Sequence, residues 1–236
     1  MIATTQDPLL TTLLVTLIVA ILAQLLSHFL TTIRDRKSYF MQRNQNLYSN
    51  VMVFMSNYMA IKTNPKKNHD VHDNIVENDL LEITIEKLNE NIKYSSLDLL
   101  RIYERFIGYG YFELGRGDSE EADKHTLVYF LIEDLIKYSK WTRIYSRSDR
   151  KRLKQQKYYY GLCAISLYFF EMEQAETILQ MENWTGKHKT KFPSLREELL
   201  TLDTNMMTKS LLEHLTPVDD ANNRMYSGII DELKKY

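Results

Sequence analysis

The longest stretch of the chain without a charged side chain lies near its beginning. It runs for 26 residues, from Pro8 to Ile33, and a helix needs about 20 apolar residues to cross the hydrocarbon core of a bilayer. A secretory signal peptide would have basic residues before its apolar run, whereas the first seven residues contain Asp7 and no Lys or Arg. The pattern therefore predicts one uncleaved transmembrane helix at 8–33, and its length argues against a buried core helix.

Small and polar residues recur at every fourth position of this apolar segment. Positions i and i+4 lie on one face of a helix, and a polar side chain in hydrocarbon usually faces protein or water. Small residues let two helices approach closely, and an amide or imidazole can hydrogen-bond across them. We interpret this face as a transmembrane association surface, with hydroxyls that bond to their own helix as the alternative. Its residues are Thr12, Thr16, Ala20, Gln24 and His28.

The remaining chain has the pattern of successive amphipathic helices. Apolar residues at near-helical spacing through 34–62 predict a stalk helix that continues the anchor as far as the break at Pro65. Helix-start and helix-stop residues then divide 63–236 into an array of about six helices. The expected helices cover about 71–92, 95–114, 118–145, 148–184 and 194–215, and a last one runs to the C-terminus.

Two of these expected boundaries depend on capping residues. Ser148 is the expected cap of the helix at 148–184, and Ser194 with Glu197 forms the pattern of a capping box. The apolar run Tyr158–Phe170 inside the first of these helices has only 13 residues, too few to cross a membrane. We expect it to be the buried central helix of the domain.

Composition supports an all-α fold. The 236 residues include only 7 Gly and 4 Pro, too few for the many tight turns of an all-β protein. Cys163 is the single cysteine, which rules out an internal disulfide and fits a reducing compartment. The prediction is one N-terminal transmembrane helix followed by a cytoplasmic α-helical array.

The charges that flank the anchor predict its orientation. Arg34, Arg36, Lys37 and Arg43 follow the apolar segment, and no basic side chain precedes it. By the positive-inside rule, residues 1–7 form a short extracytoplasmic N-terminus and residues 34–236 lie in the cytoplasm of a single-pass protein of the cell membrane. A glycosylation pattern at 183–185 and an Arg-Gly-Asp tripeptide at 116–118 are then chance matches.

Two stretches of opposite charge lie in the near-neutral domain. One spans 143–157 and has a net charge of +6, because Asp149 alone opposes seven basic residues. The other spans 70–90 and has a net charge of −6. The basic stretch could meet anionic lipid head groups, nucleic acid or an acidic protein surface, or it could be a solvated helix entry. Its basic residues are Arg143, Arg147, Arg150, Lys151, Arg152, Lys154 and Lys157.

A metal site has one weak candidate, the cluster of His69, Asp70, His72 and Asp73. Imidazoles and carboxylates are suitable ligands for zinc or manganese, but Asp is also favoured at a helix start. The sequence contains no phosphate-binding loop, zinc-protease motif, nucleophile elbow or kinase motif set. We therefore expect no cofactor, and the catalytic residues, if any, are not evident.

The layout of one span and a small helical cytoplasmic domain resembles that of bacterial membrane-anchored accessory and phage-defence proteins. This resemblance implies a membrane-anchored interaction or effector module. The bilayer and a second copy or another membrane protein would then be its partners. The alternative hypothesis is a membrane-tethered, metal-dependent hydrolase or nuclease that uses the His69–Asp73 cluster.

Overall fold

The computed structural model describes residues 8–72, 74–111, 119–142, 144–186, 192, 194–216 and 220–236. All regular structure in these ranges is helical, which confirms the predicted all-α class. The chain divides into two compact units, 1–43 and 44–236. The first unit consists of the 36-residue helix α1, Pro8–Arg43.

The second unit begins with a π-helical turn, Asn44–Tyr48, followed by α2, Ser49–Lys62. Val51, Met55 and Tyr58 of α2 are almost completely buried. The segment expected as a stalk at 34–62 is therefore helical, but its second half belongs to the core of the folded unit. The pattern of apolar residues was compatible with either role.

The other helices of the second unit are short to medium in length. Two further single turns of 3-10 helix lie at Ile92–Tyr94 and Tyr109–Tyr111. The α-helices are α3 Lys67–Asp70, α4 Glu77–Glu90, α5 Leu97–Gly108, α6 Ser119–Thr142, α7 Arg147–Leu167, α8 Met172–Thr185, α9 Leu195–Thr201, α10 Thr204–Leu215 and α11 Asp220–Leu233.

Helices α6 and α7 form the centre of the unit. Every residue of α7 from Tyr158 to Leu167 is buried, which confirms the expectation of a buried central helix there. Gly161 permits this close packing, because a Cβ at that position would lie 2.7 Å from Cδ2 of Leu195 and 2.8 Å from the ring of Tyr129. Contacts this short are absent from close-packed cores, so the position requires glycine.

The expected single helix at 148–184 was wrong. It is two helices, because the chain turns at Tyr168–Phe170 and Glu171 takes an extended conformation before α8. The side chains of Phe169 and Phe170 are buried, so the turn brings two aromatic rings into the core. This turn contains no glycine or proline. The burial of the two rings, and not a helix-breaking residue, ends α7 here.

The start of α7 also differs from the expected one. Ser146 is the cap, not Ser148, and its side chain accepts a hydrogen bond from the backbone N–H of Asp149 at 3.1 Å. The Asp149 carboxylate in turn accepts a hydrogen bond from the backbone N–H of Ser146. This reciprocal capping box satisfies two backbone donors that would otherwise lack partners, and it is available to Ser146 because Asp149 stands three residues later.

The expected capping box at Ser194 and Glu197 was wrong, as was the single helix at 194–215. Ser194 makes no capping hydrogen bond. Leu202 has a positive φ of 53° and separates α9 from α10. Asp203 then caps α10 by accepting a hydrogen bond from the backbone N–H of Met206 at 3.1 Å. A left-handed leucine is unusual, and here it directly precedes the Asp203 cap of α10.

Candidate membrane anchor and charged surfaces

Helix α1 is long and apolar enough to span a membrane. The fifteen large hydrophobic side chains between Leu9 and Ile33 are all exposed. A core helix of a soluble domain would bury one apolar face against its own chain, whereas this segment buries none of its large hydrophobic side chains. An exposed apolar surface of this size marks a site of contact with lipid or protein.

The predicted association face on α1 has two kinds of polar group. The Thr16 hydroxyl donates to the backbone carbonyl of Thr12 at 2.8 Å, and the Thr32 hydroxyl donates to that of His28 at 2.9 Å. The side chains of Gln24 and His28 are exposed and make no hydrogen bond within the described residues. The Thr16 hydroxyl of this face is thus satisfied within α1, and the amide and the imidazole are the groups that still need a partner in hydrocarbon.

The basic stretch separates into two parts in the structure. The first, which we call the basic surface of α7, consists of Arg147, Arg150, Lys151, Arg152 and Lys154. Within the described ranges, none of these five residues forms an ion pair. Arg147, Lys151 and Lys154 follow each other at i, i+4 and i+7 and are exposed, so they share one face of the helix.

Lys157 belongs to a different cluster, although the sequence pattern grouped it with the basic residues. Its ammonium group lies 2.9 Å from a carboxylate oxygen of Glu133 and 4.7 Å from the centroid of the Tyr129 ring. Glu133 also accepts a hydrogen bond from Arg196 at 2.8 Å. Burial of Glu133 acts to raise its pKa, but Lys157 and Arg196 outweigh this effect and lower the pKa below its usual value. Arg143 lies outside the described residues.

The basic surface of α7 lies close to the first residue of the second unit. The hydroxyl of Tyr145, two residues before α7, donates a hydrogen bond of 2.7 Å to Oδ1 of Asn44. The same hydroxyl lies 3.4 Å from the sulfur of Met52. Asn44 directly follows the last residue of α1. The start of α7 is therefore held at the point where the second unit joins α1 along the chain.

The acidic stretch is paired with lysines from other parts of the unit. Glu77 contacts Lys62 at 3.0 Å and Lys67 at 2.6 Å, and both lysines also contact Glu176 of α8. Lys62 and Lys67 lower the pKa of Glu77 although its partial burial acts in the opposite direction. This network connects α2, α3, α4 and α8, so Glu77 of the acidic stretch has a structural role.

Other acids of α4 lie at the surface. Glu82 pairs with Lys124 of α6 at 2.6 Å. Asp79 and Glu86 border an open groove between α4 and α5, with a volume of about 610 Å³ and with Ile83 and Phe106 in its wall. In the described part of the chain, no ion pair connects this acidic face to the basic surface of α7. Within the described residues, the acidic face of α4 and the basic surface of α7 are therefore not paired with each other.

The candidate metal cluster lies at and just after α3. His69, Asp70 and His72 are exposed, and Asp73 lies outside the described residues. Asp70 is 3.4 Å from the side-chain amide of Asn64. Among the described residues, no group of three or more His, Cys, Asp and Glu side chains is arranged to hold a metal ion. The proximity of these residues in sequence thus does not by itself produce convergent ligands.

A buried polar cluster, absent from the sequence predictions, connects α2, α6 and α7. The hydroxyl of Tyr58 lies 2.8 Å from Nε2 of His125, whose Nδ1 lies 2.8 Å from the carbonyl of Glu121. A carbonyl can only accept, so Nδ1–H donates and Nε2 accepts from Tyr58. Burial lowers the pKa of His125 to about 4, so the ring is neutral at pH 7. The neighbouring Tyr160 hydroxyl donates to the carbonyl of Met55 at 2.8 Å.

A second buried cluster surrounds Glu182 of α8. Tyr158 donates a hydrogen bond of 2.7 Å to Glu182, and Nε2 of His214 lies 3.3 Å from the same carboxylate. The Tyr226 hydroxyl approaches it to 3.5 Å. The nearby carboxylate and the burial raise the pKa of Tyr158, so its hydroxyl remains a donor. This cluster fastens α8, α10 and α11 to α7.

Cys163 and Asn183 also have structural surroundings. Cys163 is completely buried, and burial raises the pKa of its thiol, which therefore stays protonated and unreactive. The side-chain amide of Asn183 donates to the carbonyl of Thr63 at 3.0 Å and accepts from Tyr159 at 3.1 Å. Both ends of this amide are thus occupied within the fold. The Arg-Gly-Asp tripeptide lies outside the described residues.

Spacing along the chain could not have revealed these buried clusters, because their members come from helices far apart in sequence. Tyr58 and His125 are separated by 67 positions, and Tyr158 and His214 by 56. Comparison of the chain with protein-family models, with characterised proteins and with solved structures finds no match.

Proposed function

We propose that this protein is a membrane-anchored helical interaction module that associates through its transmembrane helix. The observation that carries the proposal is α1, whose fifteen large hydrophobic side chains between Leu9 and Ile33 are exposed. Their exposure to water would be costly, at about 25 cal/mol per Å² of apolar surface. A bilayer removes this cost for a helix of such length.

The orientation in the proposal places the second unit in the cytoplasm. Three basic residues, Arg34, Arg36 and Lys37, follow the apolar segment directly and are exposed. Basic residues beside a span are retained on the cytoplasmic side. A reporter enzyme fused after Tyr236 should be active in the cytoplasm, and a fusion active only outside it would contradict this orientation.

Association through α1 rests on Gln24 and His28, the two polar side chains of the face that make no hydrogen bond within the described residues. In a single-pass protein, a helix of another chain is the natural partner for them, and each such bond contributes about 0.6–2 kcal/mol in a membrane. Two copies that pair through this face would also bring two helical domains together.

The test is the oligomeric state of the full-length protein in detergent, for wild type and for Gln24→Leu/His28→Leu. We expect an oligomer for wild type and a shift toward monomer for the double variant. The matched control is Leu14→Ala/Leu25→Ala, which changes α1 without removing a polar group. A monomeric wild type, or a double variant as oligomeric as wild type, would refute association through this face.

The competing hydrolase hypothesis is tested by the metal content of the purified protein. The purified full-length protein should contain no stoichiometric zinc or manganese. Bound metal that is lost on His69→Ala would contradict an interaction module and favour a metal-dependent enzyme. A role in bacterial phage defence stays a prediction, based on the resemblance in layout. Plaque counts on bacteria that express the protein would test it.

A further inference from the structure

The basic surface of α7 concentrates five cations that form no ion pair within the described residues, whereas several lysines elsewhere in the domain are paired. The lysines Lys62, Lys67 and Lys124 all contact carboxylates. In contrast, Arg147, Arg150, Lys151, Arg152 and Lys154 form no ion pair within the described residues. Asp149 is the one acid among them, and its carboxylate accepts hydrogen bonds from Ser146.

The position of this patch in the fold is set by the hydrogen bond from Tyr145 to Asn44, which is 2.7 Å long. It fastens the residue just before the cap of α7 to the first residue of the second unit. Ile33 ends the uncharged segment, and α1 continues ten residues further, to Arg43. At 1.5 Å per residue this extension is about 15 Å long.

This length limits how far along the chain Asn44 can be from a membrane that holds α1. The head-group layer occupies about 5–8 Å beyond the hydrocarbon core on each side. With Ile33 at the edge of the hydrocarbon core, the remaining distance to Asn44 is about 10 Å, comparable to the Debye length of about 8 Å at physiological ionic strength. The negative potential of an anionic leaflet therefore extends to the region of the patch.

From these observations we propose that the basic surface of α7 docks on anionic lipid head groups of the membrane in which α1 is anchored. This inference rests on the proposed membrane anchor and adds a second, electrostatic contact to it. Arg147, Lys151 and Lys154 share one exposed face, which suits a flat layer of negative charge. Docking restricts the orientations of the helical domain over the bilayer and depends on lipid composition.

Nucleic acid is the other polyanion that such a patch could bind. Single-stranded binders combine cations with exposed aromatic rings on which bases stack. In α7, the three tyrosines that follow the patch, Tyr158, Tyr159 and Tyr160, are buried. The cations could therefore contact the phosphates of a nucleic acid, but its bases would find no exposed tyrosine of this trio to stack on. The lipid surface is favoured for this reason and because the chain tethers the patch near it.

The test uses full-length protein in nanodiscs of two compositions, phosphatidylcholine alone and phosphatidylcholine with about 30% phosphatidylserine, a content chosen to produce a strong surface potential. A donor dye on Ser148→Cys reports energy transfer to an acceptor dye on a lipid head group. Ser148 is exposed, whereas Cys163 is buried and escapes the label. We expect higher transfer in the anionic nanodiscs and a return to the neutral value in 0.5 M salt, at which screening is roughly twice as short-ranged.

The key variant is Arg147→Gln/Lys151→Gln/Lys154→Gln, which removes three charges and preserves the fold of the exposed face. We expect its energy transfer in anionic nanodiscs to fall to the value in neutral ones, because three such residues contribute on the order of a hundredfold to surface binding. The matched control, Lys209→Gln/Lys234→Gln/Lys235→Gln, removes the same charge from α10 and the C-terminus. Lys234 and Lys235 precede Tyr236, whose hydroxyl contacts the carbonyl of Phe169 at the opposite end of α7.

Each outcome has one meaning. Transfer that rises with phosphatidylserine and is lost only in the α7 variant supports docking. Equal energy transfer in both lipid compositions overturns docking, and so does an equal loss of transfer in the α7 variant and the control variant. Neither result contradicts the proposed membrane anchor. A chain that does not enter nanodiscs at all overturns the anchor itself. Binding of a single-stranded RNA oligonucleotide that the α7 variant loses, without any lipid dependence, identifies nucleic acid as the partner and also overturns docking.

Discussion

The Tyr58 hydroxyl donates a hydrogen bond of 2.8 Å to Nε2 of His125 and so joins α2 to α6 in the centre of the domain. The two rings have centroids 5.5 Å apart, and Tyr160 packs against both of them. A hydrogen bond of this kind requires a neutral imidazole, because a protonated ring would have no acceptor for the tyrosine proton. The cluster therefore links the protonation of one histidine to the stability of the whole helical domain.

The first prediction concerns the pH dependence of this stability. Burial lowers the pKa of His125 to about 4 from an ordinary value of 6.5, so between these two values the unfolded chain binds a proton that the folded chain does not. The contribution of neutral His125 to stability is therefore complete above pH 6.5. The free energy of unfolding decreases as the pH falls from there toward 4. The loss amounts to about 3 kcal/mol. Urea unfolding of the protein in mild detergent at pH 7, 5.5 and 4.5 measures it.

The control for this prediction is His125→Gln, which cannot titrate in this range. We expect the variant to be less stable than wild type at pH 7, because its amide replaces an imidazole that fits its partners. The difference should shrink as the pH is lowered. A constant difference across the range would mean that another group causes the acid sensitivity.

The second prediction compares two buried glutamates. The side chains of Glu182 and Glu198 are both completely inaccessible to solvent. Glu182 accepts a hydrogen bond of 2.7 Å from Tyr158, whereas neither carboxylate oxygen of Glu198 has a hydrogen-bond partner among the described residues. We expect Glu182→Gln to lower the free energy of unfolding by about 1–3 kcal/mol, since it places amide hydrogens against groups that donate.

Glu198→Gln should have the opposite sign. Burial of a carboxylate without a partner is costly, so replacement by a neutral amide of the same shape should raise the free energy of unfolding by about 1 kcal/mol or more. Thermal unfolding of the two variants, followed by circular dichroism at pH 7, distinguishes them. Equal destabilisation would show that Glu198 has a favourable interaction after all.

The third prediction concerns two glycines within helices. At Gly161 a methyl group would lie 2.7 Å from Cδ2 of Leu195, whereas at Gly228 it would meet no described atom within 4 Å apart from the neighbouring backbone of its own helix. Gly161→Ala should therefore cost about 1–3 kcal/mol through overpacking of α7 against its neighbours. Gly228→Ala should stabilise the protein by about 0.5–1 kcal/mol, because alanine is the better helix former. Melting temperatures that move in the same direction for both variants would contradict the role of Gly161.

The sequence by itself determined the features that depend on local pattern. The 26 uncharged residues from Pro8 to Ile33 were sufficient to predict a helix that could span a membrane, since length and the absence of charge are properties of one segment. The scarcity of glycine and proline argued against an all-β fold, and the helical spacing of apolar residues predicted the all-α class. The apolar run Tyr158–Phe170 was predicted to be buried because its 13 residues are too few to cross a membrane.

Only the tertiary structure decided which of the charges and polar groups meet. Lys157 looks like its basic neighbours in sequence. In the fold it forms an ion pair with Glu133 of α6 and so does not belong to the basic surface. The break between α7 and α8 has no local signal either, because burial of Phe169 and Phe170 determines it. Long-range packing brings together residues whose separation in the chain follows no period, so no local pattern encodes these pairs.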